Sequence, residues 1–123
     1  MGPENTFIKN VNKLIPKEIY REKMHNPYRG GTPDMWYSGR TGDLWIEYKW
    51  LSTLPKLVLP NLSELQKVWL RDRSSEGRSV AVVVGSPTGC IWFAKPRQWE
   101  KGLRTYHLGT KTDIADTIER ICG

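Results

Sequence analysis

Apolar positions with helical spacing occur in three stretches of the chain. The stripe over residues 3–15 consists of Phe7, Ile8, Val11, Leu14 and Ile15. Pro16 follows this stripe directly and cannot continue a helix, so the pattern predicts a helix over 3–15. Similar spacing predicts two further helices, over 63–73 and 112–122.

Strand-like segments lie between these helices. Turn-forming residues at 39–43 separate 35–38 from 44–50, which predicts a hairpin over 34–50. Alternation along its second strand places one set of side chains on one face, namely Leu44, Ile46, Tyr48 and Trp50. The opposite face carries Trp45, Glu47 and Lys49. The valine-rich run at 79–85 predicts a strand buried on both faces, with 90–94 as its partner.

The order of these elements predicts the fold class. Helix, two or three strands, helix, two strands and helix indicate an α/β protein with a mixed central sheet of four to five strands and helices on both faces. Residues 17–33 predict an irregular segment with one short strand, and 51–62 a loop, whereas 96–110 has no clear pattern. The length of 123 residues fits a single domain over 1–123.

Charge and cysteine content narrow the function classes. Nineteen Lys and Arg against 13 Asp and Glu give a net charge of +6, which favours a polyanionic partner. No apolar run approaches the ~20 residues that a membrane span needs, and the first residues do not have the pattern of a signal peptide. Cys90 and Cys122 have no zinc-site spacing and indicate intracellular thiols.

Three charged residues of the predicted hairpin suggest a metal site. Glu47 and Lys49 project from the same face of one strand, and Asp34 precedes the strand beside it. Two carboxylates and a nearby cation suit Mg2+, which completes its coordination with water and phosphate oxygens. The alternatives are that Asp34 belongs to an ordinary turn and that Glu47 and Lys49 form a solvated stripe on an edge strand.

The segment Gly31-Thr32-Pro33-Asp34, followed by Glu47-Tyr48-Lys49, resembles the motif of the PD-(D/E)XK nuclease superfamily. Its Gly-x-Pro-Asp form is most similar to the VRR-NUC branch and to phage Holliday-junction resolvases. The resemblance implies a restriction-endonuclease-like core and an Mg2+-dependent endonuclease, with Mn2+ able to substitute. It also implies that Asp34, Glu47 and the backbone carbonyl of Tyr48 bind the metal and that Lys49 is the catalytic lysine.

The same resemblance implies two further site residues. Glu4 corresponds to an acid on the first helix of such nucleases, with Glu18 and Glu22 as alternatives. Gln66 corresponds to a glutamine on the helix after the motif strand. From its spacing alone, Gln66 is equally the last residue of a capping box that begins at Ser63.

Basic and aromatic residues suggest a nucleic-acid interface. The predicted contacts are Lys9, Lys13, Arg29, Arg40, Lys67 and Arg71. Trp45 shares a face with Glu47 and is the best candidate for stacking on a base, with a core position as the alternative. His25 is either a phosphate contact or simply solvated.

Together these features predict a structure-selective DNA endonuclease of the Holliday-junction resolvase or nickase type. Its partners would be DNA, including branched DNA, and a second copy of the chain, since two-fold dimers suit two-fold junctions. An intracellular location, in a host cytoplasm if the source is a phage, is expected. The alternatives are a non-catalytic nucleic-acid-binding module with a nuclease-like fold and a small protein-interaction domain.

Overall fold

A computed structural model describes residues 2–24 and 30–123, so His25 and Arg29 lie outside the described residues. The described elements are α1 (Pro3–Lys13), β1 (Tyr20–Lys23), β2 (Met35–Ser38), β3 (Asp43–Trp50), β4 (Leu57–Val58), α2 (Glu64–Ser75), β5 (Val80–Ser86), β6 (Gly89–Phe93), α3 (Pro96–Lys101), β7 (Leu103–Arg104) and α4 (Lys111–Cys122). None of the helices in this described part is long and apolar enough to cross a membrane.

The main sheet has five strands in the order β1-β2-β3-β5-β6. Three of its pairings are antiparallel, whereas β3 and β5 are parallel. This mixed sheet confirms the predicted fold class. The strand with the candidate acid is paired on both sides, so Glu47 lies on an inner strand and not on a solvated edge.

Helices cover both faces of this sheet, as predicted. On one face α1 and α4 bury an apolar cluster that includes Phe7, Ile46 and Ile118. On the other face α2 and α3 bury a second cluster through Leu70 and Trp99. Every residue of β5 is buried, because this strand lies between the two clusters. Burying one large apolar side chain contributes about 1.5–3 kcal/mol, so the sheet is held firmly from both sides.

Several boundaries differ from the sequence prediction. Helix α1 ends at Lys13 and leaves Leu14 49% exposed, so Leu14 is not part of the packed stripe. The guanidinium of Arg21 satisfies carbonyl groups in the last turn and just beyond it, including Pro16 O at 2.7 Å. The predicted loop at 51–62 contains β4, which pairs with β7 from the unassigned segment.

Candidate active site

The two candidate metal-binding carboxylates are neighbours across the β2–β3 ladder. Met35 pairs with Ile46, so Asp34, one residue earlier, lies opposite Glu47. The backbone N–H of Tyr48 donates to Asp34 Oδ2 at 2.8 Å. The strand register therefore fixes Asp34 beside Glu47.

Glu47 is a buried acid with only one of its oxygens satisfied. The residue is 3% exposed. Its Oε2 accepts a hydrogen bond from Gln66 Nε2 at 2.9 Å and lies 3.3 Å from Lys49 Nζ. Among the described residues, no donor reaches Oε1, although that atom is buried. A buried acceptor without a partner costs about 1–3 kcal/mol, and a cation bound at Oε1 would offset this cost.

Gln66 makes both of the contacts that the sequence left as alternatives. Ser63 Oγ accepts from the Gln66 N–H at 3.1 Å, and the Ser63 N–H donates to Gln66 Oε1 at 2.9 Å, which completes the capping box of α2. The amide nitrogen of the same side chain contacts Glu47. Lys49 Nζ donates to Gln66 Oε1 at 3.4 Å. The start of α2 is thus joined directly to the acid and the lysine.

Gly31 allows the loop before Asp34 to pack against α2. It has a φ of +98°, which side-chain-bearing residues rarely adopt, and a Cβ at this position would overlap the Leu65 carbonyl group. The close approach places the Asp34 loop beside the helical turn that carries Gln66. This steric requirement explains the glycine in the sequence Gly31-Thr32-Pro33-Asp34.

Burial raises the pKa of the acids at this site. Burial is the largest cause for Glu47, and the nearby Asp34 charge adds to it, so the pKa of Glu47 rises to about 8 although Lys49 opposes the shift. The pKa of Asp34 is also raised by burial, against the Tyr48 N–H and Lys49. The pKa of Glu4 is raised by burial and then by Asp34. The three acids therefore repel one another when charged.

Glu4 shares this electrostatic environment, but it does not complete a three-acid metal site. Within residues 2–24 and 30–123, no group of three or more His, Cys, Asp or Glu side chains has a geometry that could hold a metal ion. The alternative acids are placed elsewhere. Glu22 accepts from the Tyr20 hydroxyl at 2.6 Å, and Glu18 lines a pocket with Arg40 and Glu119.

The acid pair nonetheless fits a hard divalent cation. Asp34 and Glu47 provide carboxylate oxygens, the ligand type that Mg2+ prefers, and Glu47 Oε1 is buried with no donor among the described residues. Mg2+ needs only one or two protein carboxylates, because water and phosphate supply its remaining ligands. The absence of a third acid in the described set is therefore compatible with such an ion.

The predicted DNA-contacting residues are not all on one surface. Lys9 and Lys13 are exposed on α1, and they line a groove beside β1. Lys67 and Arg71 lie on α2, which also carries Gln66, and Lys67 Nζ is 3.5 Å from Glu64. Arg40 is in the β2–β3 turn, at the end of the hairpin opposite Asp34. Arg29 lies outside the described residues.

Trp45 is half-buried between two other tryptophans. Its ring is stacked on Trp36, with centroids 6.0 Å apart, and is tilted against Trp69 at 6.1 Å. It also packs against the apolar cluster under α2. These contacts favour the core alternative for Trp45.

A buried hydroxyl chain supports the site and was missed from the sequence. The hydroxyls of Tyr37 and Tyr48 are 2.8 Å apart, and Tyr37 donates to Asn12 Oδ1 at 2.7 Å. This chain ties β2, β3 and α1 together next to the Tyr48 N–H that contacts Asp34. The available signal was that both tyrosines fall on the inward face of the hairpin, where a buried hydroxyl requires a partner.

The fold defined by this sheet and its helices is restriction-endonuclease-like. The chain is similar in structure to Hjc of Archaeoglobus fulgidus, a Holliday junction resolvase from an archaeal hyperthermophile. The TM-score is 0.58 with 15% sequence identity, over 94% of this chain and 97% of that chain. Protein-family models and curated protein sequences give no match. At this identity the likeness shows the fold, in agreement with the fold implied by the PD-(D/E)XK resemblance.

Proposed function

We propose that the protein is a structure-selective DNA endonuclease that hydrolyses phosphodiester bonds with Mg2+, or Mn2+ in its place. The observation that carries the proposal is the buried Glu47 carboxylate. Its Oε1 has no donor among the described residues, and it lies beside Asp34 and Lys49. Asp34, Glu47 and the Tyr48 carbonyl would bind the ion. When bound, the ion would polarise the scissile phosphate and lower the pKa of a bound water.

The protein side chains have distinct roles in this proposal. Lys49, whose Nζ is 3.3 Å from Glu47, stabilises negative charge that develops on the phosphate during hydrolysis. Gln66 orients Glu47 through its 2.9 Å hydrogen bond, and the Tyr48 N–H orients Asp34. Glu4 acts on Glu47 through its charge.

The buried acids favour an enzyme over a simple DNA-binding module. A carboxylate pair repels a phosphate backbone, and burying the pair also costs folding free energy. A protein that only bound DNA would gain in both respects by losing these charges. Their presence, with Glu47 on the inner strand β3 and Asp34 directly before β2, is explained if they bind a cation that acts on the phosphate.

Branched DNA is the proposed substrate class, and a homodimer the proposed active form. A four-way junction has two-fold symmetry, which a two-fold dimer can match. The structural neighbour is itself described as a Holliday junction resolvase. The net charge of +6 supports a nucleic-acid partner. An intracellular setting and a phage source belong to the same proposal.

A cleavage assay tests this function directly. Labelled four-way junction and linear duplex would be incubated with the protein in Mg2+, in Mn2+ and in EDTA. We expect cleavage of the junction in either metal and none in EDTA. Glu47→Gln should abolish the activity, whereas Glu119→Gln, an exposed acid on α4, should leave it unchanged. Negligible cleavage in every tube at micromolar protein would refute the proposal.

A non-catalytic nucleic-acid-binding module is the second candidate. The observation that favours it is that the described residues contain no three-acid metal cluster. Such a module should bind DNA equally well or better after Glu47→Ala, because a repelling charge is removed, and it should have no cleavage to lose. An enzyme with the same Glu47→Ala substitution should keep its affinity for DNA and lose its cleavage activity.

A further inference from the structure

A groove of about 740 Å³ lies between α1 and β1, outside the acid site described above. Its floor is apolar and is formed by Ile8, Ile15 and Met35, each of which is less than 7% exposed. Its cationic lining comes from Lys9, Lys13, Lys17, Arg21 and Lys23. Among the described residues that line the groove, none is acidic. The volume is in the range of pockets that enclose a ligand of a few rings.

Three lysines of this groove, Lys9, Lys13 and Lys17, have no hydrogen-bond or ion-pair partner among the described residues, in contrast to Lys23 and Arg21. Lys9 and Lys13 are four residues apart on α1, so they lie on one face of the helix about 6 Å apart along its axis. Both are exposed. Arg21 is already committed to the carbonyl groups at the end of α1. The groove therefore presents exposed ammonium groups above an apolar lining.

One end of the groove adjoins the acid site. Met35 directly follows Asp34, and Lys23 pairs with Met35 in the β1–β2 ladder. Lys23 Nζ donates to Asn5 Oδ1 at 3.2 Å, and Asn5 directly follows Glu4. A polymer that lies in the groove would thus reach Asp34 and Glu4 without leaving the protein surface.

We propose that this groove binds an unpaired stretch of a nucleic-acid strand, with phosphates on the lysines and a base against the apolar lining. Charge complementarity selects a polyanion, since every described charged residue that lines the groove is cationic. The apolar lining selects an unpaired strand, because a paired duplex keeps its bases stacked inward and presents mainly phosphates to such a surface. The inference deepens the proposed function and rests on it for the identity of the polymer.

The test measures binding in EDTA, where cleavage plays no part. The probes are a labelled oligothymidylate and a labelled hairpin duplex with the same number of nucleotides. Lys9→Gln with Lys13→Gln is compared with Arg97→Gln and Lys101→Gln, which remove the same charge from exposed positions of α3. The dependence of affinity on salt is measured for all three proteins.

We expect the α1 variant to lower the salt slope for the single strand by about 1.4, since each lost phosphate contact contributes about 0.7. The α3 variant should keep the slope and affinity of the unmodified protein, and the duplex should be less affected than the single strand. Equal losses in the two variants, equal losses for the two probes, or competition by polyglutamate as strong as by oligothymidylate would overturn the proposal. If the protein binds the single strand through the groove but does not cleave junctions, only the proposed function is refuted. If it cleaves junctions but the α1 variant binds the single strand normally, only the role of the groove is refuted.

Discussion

Gln66 Nε2 donates to Glu47 Oε2 at 2.9 Å, while Gln66 Oε1 accepts from the Ser63 N–H at the same distance. The Gln66 side chain therefore accepts a hydrogen bond from the backbone N–H of the N-cap residue of α2, and it also orients the buried Glu47 carboxylate on β3. Stability of α2 and geometry of the acid site are coupled through this residue, and the coupling can be measured.

Replacing Ser63 with alanine should impair activity as well as stability. The loss of the Ser63 Oγ acceptor costs about 1 kcal/mol and loosens the helix start that positions Gln66 beside Glu47, although the backbone N–H at position 63 can still donate to Gln66 Oε1. Thr110→Ala is the matched control, because Thr110 caps α4 through the Asp113 N–H at 3.1 Å, away from the acids. Urea unfolding should give similar stability losses for the two variants. Only Ser63→Ala should reduce junction cleavage at a temperature where both are folded, and equal activities would contradict the coupling.

Gly31→Ala should be strongly destabilising. Its positive φ costs about 1–2 kcal/mol for a residue with a side chain, and overlap with the Leu65 carbonyl adds about 1–3 kcal/mol. Gly77→Ala is the control, since Gly77 has a φ of +83° but no neighbouring atom within 4 Å of the added Cβ. Gly77→Ala should lose only the free energy that a positive φ costs a residue with a side chain. Denaturant unfolding compares the two variants, and a Gly31→Ala loss no larger than that of Gly77→Ala would show that the loop can move away from α2.

Stability of the metal-free protein should fall as the pH rises from about 5 to 8. The pKa of Glu47 is raised from 4.5 to about 8 in the folded state, so within this window the unfolded chain has released a proton that the folded protein still binds. Unfolding is then favoured by each increase in pH. Melting temperatures in EDTA should show this fall, and Glu47→Gln should remove most of it. An unchanged slope in that variant would assign the effect to other groups.

Divalent metal should stabilise the protein more at pH 8 than at pH 5.5. Binding requires the carboxylates to be deprotonated, and protons compete for Glu47 and Asp34 below their raised pKa values. Melting temperatures with and without Mg2+ or Mn2+ at both values of pH measure the difference. Asp34→Asn should abolish the metal-induced shift, whereas Glu119→Gln should retain it. A shift of equal size at both pH values would show that the ion binds elsewhere.

The sequence predicted the parts of the fold that depend on local pattern. Alternation along 44–50 separated Glu47 and Lys49 from the apolar face, and the hairpin placed Asp34 beside Glu47. The spacing from Ser63 to Gln66 indicated the capping box. Each of these features involves residues that are close together in the chain or separated by a single turn. Their spacing in the sequence is therefore sufficient to predict them.

Features that depend on distant parts of the chain could not be predicted. The contact between Gly31 and Leu65, the pairing of β4 with β7 and the groove beside α1 all join segments whose proximity no local pattern encodes. Both Leu65 and Leu70 lie on the helix predicted over 63–73, but Leu65 is 61% exposed, because α2 turns its Leu70 side toward the sheet. Which helical face is buried depended on the tertiary arrangement.

The parallel pairing of β3 with β5 implies an order of assembly during folding. The antiparallel hairpin of β2 and β3 brings Asp34 to the Tyr48 N–H with little loss of chain entropy, since only a short turn must close. Gln66 lies on the crossover between β3 and β5, so it reaches Glu47 only when that much longer loop closes. The carboxylates would thus meet first, and the amide that orients Glu47 would arrive later, when the crossover closes.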